Sequence, residues 1–202
     1  MNTLMKNSFC LFMLVCTLCI ALPLSAQEKV KGLIVSEVYL DKEQPGNSWI
    51  EVYNPTDKPL VLERFRLSHI RTINVLPASI QEQGGVVIKP NEYLVLCADK
   101  VQFESAWGKQ TEPLFVKALT LLAEGGFVAI ATKDVEEAGS DGFRYGDPLK
   151  SSHVKEYFGS QVLNFSRNGK SYSRKMIKTA EGINISDWYE SVPAPGLPNE
   201  EK

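Results

Sequence analysis

The chain has 202 residues, of which 44% are hydrophobic and 23% charged. That is the mix of a globular domain and excludes a wholly disordered chain. The formal net charge is −2, and removing residues 1–26 deletes only the charge of Lys6 and leaves −3. No overall basic field exists to hold nucleic acid or an anionic lipid surface.

The elements begin with a leader. Lys6 is the only charged side chain before Glu28, and Phe9 to Leu22 is an apolar run of fourteen, followed by Pro23, Leu24, Ser25 and Ala26. A positive start, an apolar stretch and a small residue at the end read as a signal peptide over residues 1–26, cut after Ala26. The run is short of the roughly twenty apolar residues that span a bilayer, and no later segment is apolar enough to cross. The expected destination is the periplasm, the cell surface or the medium. Cys10, Cys16 and Cys19 leave with the leader and Cys97 stays, so the mature chain forms no internal disulfide. Cys97 ends the strand-like run Tyr93 to Cys97 and is expected to be a buried thiol that packs as a small apolar residue.

Short β-like runs separated by turn residues fill the rest. Gly32 to Leu40 is rich in β-branched residues, and a loop with Pro45, Gly46 and Asn47 spans Asp41 to Ser48. In Trp49 to Tyr53, Trp49, Glu51 and Tyr53 alternate with Ile50 and Val52. Asn54 to Asp57 is a turn. Further strands are expected at Leu60 to Leu62, Phe65 to Ile70, Val86 to Ile88, Tyr93 to Cys97, Phe127 to Thr132, Tyr172 to Ile177 and Trp188 to Ser191. Helix is scarce: Val101 to Gly108 makes a turn or two, with shorter candidates at Thr120 to Glu124 and Ser152 to Phe158. This is an all-β pattern with strand spacings of a β-sandwich. Pro193 to Lys202, rich in proline and charge, reads as a tail that frays after the last strand.

Residues 138–170 hold five glycines and one proline and read as a long loop or insertion, of the kind that carries function or structure of its own. Asp134, Glu136, Glu137, Asp141 and Asp147 lie within fourteen residues, and clustered carboxylates on a loop are what calcium takes. Their spacing matches no EF-hand, so a solvated acidic loop is the plainer reading. Arg167, Lys170, Arg174, Lys175 and Lys178, with Tyr172 among them, make a basic stripe suited to phosphate or another anionic polymer. On an acidic, exported chain the stripe reads as a solvated strand face, and a nucleic-acid partner is not expected. The two histidines are His69, in a strand-like run, and His153, in a polar stretch. No nucleophile elbow, zinc-protease helix or phosphate-cradling loop accompanies them.

Several segments fall in a telling order. Ile34 to Val38 opens the mature chain, Trp49 to Asp57 with Leu60 follows, then Val87 to Leu96, and Pro193 to Asn199 closes it. In this order the sequence resembles the lamin tail domain in its bacterial secreted form, over roughly Leu33 to Asn199. The resemblance implies an immunoglobulin-like β-sandwich over residues 27–199, with 200–202 as a tail. It also implies structural roles for Glu37, Trp49, Glu51, Asn54, Pro195 and Gly196. The chain departs from the family at Asp134 to Gly142, where a short hairpin is expected, and in the length of Asp147 to Lys170. The family's domain often accompanies hydrolases or nucleases in larger chains, so partnering in trans is the expectation here.

The functional expectation is a non-enzymatic binding or structural module of the envelope or cell surface, offering the loops at 41–48 and 134–170 to a protein or polysaccharide, with no cofactor. The alternatives are calcium-dependent adhesion and a small hydrolase assembled around His153.

Overall fold

The computed structural model describes residues 32–68, 84–108, 113–116, 119, 125–132, 140–147, 161–165, 168–179 and 182–199. The expected leader at 1–26, both histidines, Asp134, Glu136, Glu137, Arg167 and the helix candidates at 120–124 and 152–158 lie outside the described residues. The strands are β1 (Ile34–Tyr39), β2 (Trp49–Tyr53), β3 (Leu60–Ser68), β4 (Val86–Ile88), β5 (Tyr93–Cys97), β6 (Leu114–Phe115), β7 (Gly125–Thr132), β8 (Ser140–Gly146), β9 (Val162–Leu163), β10 (Ser171–Thr179) and β11 (Gly182–Ser191). One α-helix, α1 (Lys100–Trp107), follows β5.

The strands form a six-stranded sheet in the order β11-β10-β1-β2-β5-β6 and a five-stranded sheet in the order β4-β3-β7-β8-β9. Their inner faces meet in one apolar core. Val35, Val38, Ile50, Val52 and Leu96 come from the first sheet, and Leu60, Leu62, Ile88, Val128, Ile130, Phe143 and Tyr145 from the second. Each such aliphatic side chain contributes about 1.5–3 kcal/mol on burial. The all-β expectation therefore holds, as two sheets around a shared core.

The outer face of the six-stranded sheet is covered as well, so all five residues of β2 are buried. At one end Trp49, Val95 and Cys97 pack against Phe103 of α1, with Tyr39 and Trp107 alongside. The helix is held there by Asp99, whose carboxylate accepts from the N–H groups of Val101 and Gln102 at 2.9 and 3.0 Å, the usual N-cap arrangement. At the other end Tyr53 stacks on Tyr93 with ring centroids 4.4 Å apart. Between them runs the closing segment 192–199.

Four sequence expectations change. The two short strands at Leu60 and Phe65 are one, β3, because a register shift between Leu62 and Arg64 absorbs the polar interruption. Residues 140–146 are not loop but β8, an inner strand that buries Phe143 and Tyr145. Its glycines and charges hid the alternation. β11 starts at Gly182 rather than Trp188. Finally, Pro193 to Asn199 is no frayed tail. It is fastened to the sheet by the carboxyls of Glu37 and Glu51 and by the main-chain oxygen of Ser36.

A buried carboxyl pair as the candidate functional site

Glu37 of β1 and Glu51 of β2 are partners across the antiparallel ladder, and each is 0% exposed. A bulge between Val35 and Glu37 lets β1 send Val35 and Val38 to the core while Glu37 faces outward under the closing segment. The sequence of that segment decides which donors it offers. Pro193, Pro195 and Pro198 have no N–H. Of the N–H groups left, that of Ala194 donates to Glu37 Oε1 at 3.2 Å and that of Gly196 to Glu51 Oε2 at 2.7 Å. Leu197 N–H donates to Ala194 O at 3.0 Å, closing a turn with Pro195 and Gly196 at its centre. Gly196 has φ 79°, the left-handed value that a type II turn requires at its third position. Asn199 Nδ2 completes the attachment by donating to Ser36 O at 3.0 Å.

Serine hydroxyls line the floor. Ser171 Oγ donates to Glu37 Oε1 and lies 2.9 Å from Ser191 Oγ, which is 2.6 Å from Ser173 Oγ. Ser36 Oγ lies 2.5 Å from Glu51 Oε1 and 3.3 Å from Glu51 O. A serine has one proton to donate. When Glu51 is protonated at Oε1 it donates to Ser36, and Ser36 is free to donate to the main-chain carbonyl. Burial pushes both carboxyls up, Glu37 to about 7 and Glu51 to about 8, against the serine and backbone donors that favour the charged form. The charge of Glu37 raises Glu51 further. Glu37 Oε2 is buried without a hydrogen-bond partner, so a negative charge there is poorly compensated.

Asn54, at the end of β2, is also 0% exposed. Its Nδ2 donates to Lys58 O and Ile88 O at 2.8 and 2.9 Å, and its Oδ1 accepts from Thr56 N–H and Thr56 Oγ at 3.0 and 2.7 Å. One amide thus closes the turn after β2 and ties it to β4. Glu37, Glu51, Asn54, Pro195 and Gly196 all belong to this outer-face framework, and Trp49 fills the aromatic patch beside it.

The acidic cluster and the basic stripe do not assemble as the sequence arranged them. Asp141 and Asp147 stand at opposite ends of β8, about 20 Å apart at the rise of an extended strand, so they cannot share one ion. Asp141 is occupied: Oδ1 accepts from Arg174 at 2.8 Å and Oδ2 from Val35 N–H at 2.7 Å. Val35 sits at the bulge of β1, where the ladder is interrupted and the backbone needs another partner. Among the described residues no group of three or more metal-ligating side chains could hold an ion. Arg174 is the second correction. It does not sit on a solvated face but is buried, donates also to Gly142 O at 2.9 Å, and lies 4.6 Å from the centre of the Trp188 ring. Strand alternation divides the rest of the stripe. Tyr172 packs against the core, Lys175 is exposed, and Lys170 precedes the strand. The side chain of Lys178 lies outside the described residues. Sequence reading missed the pairing of Arg174 with Asp141 because no local pattern links residues on different sheets.

Two further features bear on recognition. The loop 41–48 is braced from within. Asp41 Oδ1 accepts from Glu43 and Gln44 N–H at 3.0 and 2.8 Å, and Ser48 Oγ accepts from Asp41 N–H at 2.9 Å, so Lys42, Glu43 and Gln44 are held outward and exposed. At the free edge of β11, Gln161 takes the place of a neighbouring strand. Its amide donates to Trp188 O at 3.0 Å and accepts from Trp188 N–H at 2.9 Å, which blunts that edge against pairing.

In comparisons with known proteins, no family model matches the chain, and no curated protein or solved structure matches it either. Among the described residues no helix is long and apolar enough to cross a membrane.

Proposed function

We propose that this chain is an exported, non-enzymatic binding or structural module of the bacterial envelope or cell surface, built as an immunoglobulin-like sandwich of the lamin-tail type. The observation that carries this reading is that the buried polar side chains are spent on the fold. Glu37 and Glu51 hold the closing segment, Asn54 holds a turn, and Asp141 with Arg174 joins the two sheets. A two-sheet scaffold whose buried ionisable groups hold its own segments together is suited to presenting loops rather than to turning over a substrate. The braced loop at 41–48 is the best-defined of these surfaces, and the parts of 134–170 that flank β8 in the sequence supply the other. The partner class is a surface protein or a polysaccharide.

The test is affinity capture with the immobilised mature chain against solubilised envelope and secreted material, reading protein and carbohydrate in the eluate. The control is placed on the loop at 41–48, since changes within 140–146 would disturb β8 and the Asp141–Arg174 pair. A double change of Lys42 and Glu43 to alanine leaves the scaffold alone, whereas Gln44 is kept because its Oε1 accepts from Asn47 Nδ2 at 3.0 Å within the loop. A partner retained by the chain and lost with the double change supports the reading. An empty eluate together with turnover of an ester, peptide or glycoside substrate would replace it by an enzyme.

A further inference from the structure

We propose that the patch formed by Tyr39, Trp107 and the loop 41–48 is a binding site for a neutral polysaccharide chain, a reading that rests on the module role above and names its partner class. Three elements converge there. Tyr39 ends β1, Trp49 opens β2 after the loop, and Trp107 closes α1. The Tyr39 and Trp107 rings meet edge to face at 75° with centroids 5.0 Å apart, and both pack on Trp49, with centroids 6.2 and 5.9 Å away. Trp49 is wholly buried, whereas Tyr39 and Trp107 are half-buried and reach the surface. The loop is seated on α1 at Gly46, where a Cβ would come within 2.2 Å of Gln102 Oε1. The aromatic rings and the amides of the loop and helix therefore belong to one surface.

Each part of this surface suits a sugar. The apolar C–H face of a pyranose stacks on an aromatic ring, and its hydroxyls need partners that both give and accept a hydrogen bond. Asn47 Nδ2 donates to Gln44 Oε1 at 3.0 Å and to Asp41 Oδ2 at 3.3 Å, which leaves Gln44 Nε2 as a donor and Asn47 Oδ1 as an acceptor. The amide of Gln102, exposed on α1, offers both. The indole N–H groups of Trp49 and Trp107 are buried and meet no acceptor. An unmet donor is costly, and a phenylalanine would fill the space without it, so packing alone does not account for two indoles. Trp107 borders open space at Gly108, where a Cβ would meet nothing within 4 Å, and a turn of its ring brings this donor to a ligand oxygen. The surrounding charge selects among polymers. Residues 41–48 and 99–107 carry Asp41, Glu43, Asp99 and Glu104 against Lys42 and Lys100, so an anionic chain is repelled. A peptide strand finds no ladder to join, because β1 and β2 lie inside the six-stranded sheet.

Titration of the purified chain, read by tryptophan fluorescence and calorimetry, tests this directly. The probes are hexasaccharides of β-linked glucose, N-acetylglucosamine, xylose and mannose, with hexagalacturonate as the anionic control. At least one neutral hexasaccharide is expected to bind and to shift the tryptophan emission, with hexagalacturonate weaker or silent. Tyr39→Ala and Trp107→Ala should each weaken binding about tenfold or more. Tyr39→Phe, which keeps the ring, should restore most of it, and Trp107→Phe, which keeps a ring without the N–H, only part. If the alanine variants do not fold, Gln102→Ala on the exposed side of α1 should still weaken binding by about fivefold. Absence of binding by all four neutral hexasaccharides at millimolar concentration would overturn the site. Unchanged affinity in a folded Trp107→Ala variant, or tighter binding of hexagalacturonate, would overturn it too. A protein captured from envelope material by a chain that binds none of the sugars removes this site and keeps the module role.

Discussion

Glu37 and Glu51 lie opposite each other on adjacent strands, both wholly buried, and each accepts one N–H from the same proline-rich closing segment. The arrangement fastens the end of the chain to its first two strands at the cost of placing two carboxyls where charge is unwelcome. Its consequences are measurable.

Stability should fall as pH rises. Both folded-state values are raised above the ordinary 4.5, to about 7 and about 8, so the folded state favours the protonated forms. The stabilisation is complete below about pH 4.5 and is lost as pH climbs through about 7 and 8. A tenfold change in proton affinity corresponds to about 1.4 kcal/mol, so the total loss amounts to several kcal/mol at most. Urea unfolding midpoints at mildly acidic and alkaline pH measure it. Glu51→Gln should flatten the alkaline part of the curve, and a profile that rises with pH would contradict the assignment.

Asn54→Ala should destabilise the fold by about 2–3 kcal/mol, because it strands the buried Ile88 carbonyl and opens the turn after β2. Asn54→Asp keeps the acceptor for Thr56 but sets a second oxygen against Ile88 O, so it should rescue little. Denaturant melts of the two variants decide this.

The Asp141–Arg174 pair spans the two sheets with side chains only 16% and 10% exposed. Removing either partner leaves a buried charge, so Arg174→Ala and Asp141→Ala should each cost about 3 kcal/mol. The double variant should cost less than the sum of the two. A double-mutant cycle showing strict additivity would mean that the pair does not couple the sheets.

Cys97 is 0% exposed, and burial pushes its thiol up to about 11. A chain of residues 27–202, in which Cys97 is the one cysteine, should therefore resist a thiol-reactive label at neutral pH and take up one equivalent once unfolded. Mass spectrometry after labelling with and without denaturant gives the answer.

Much of the strand order was legible because turn residues such as Asn54-Pro55 and Gly84-Gly85 punctuate β-branched runs. What escaped was everything set by distant cover. The alternation in Trp49 to Tyr53 marks two faces but does not reveal that α1 and residues 192–199 bury the outer one. β8 escaped because Gly142, Gly146, Asp141 and Arg144 dilute its pattern, although Phe143 and Tyr145 were the residues that mattered. Glu37 and Glu51 carry no local mark of their roles, and nothing local told that Pro193 to Asn199 supplies their donors. Arg174 read as part of a charge run, since its partner lies 33 residues away on the other sheet.

Export is the claim on which an envelope role stands, and intact mass is its most direct test. The full chain is expressed in a bacterial host, the cytoplasmic, periplasmic and secreted fractions are separated, and the protein in each is weighed. The expected species begins at Gln27 and is found outside the cytoplasm. A full-length species confined to the cytoplasm would contradict export and remove envelope partners from consideration.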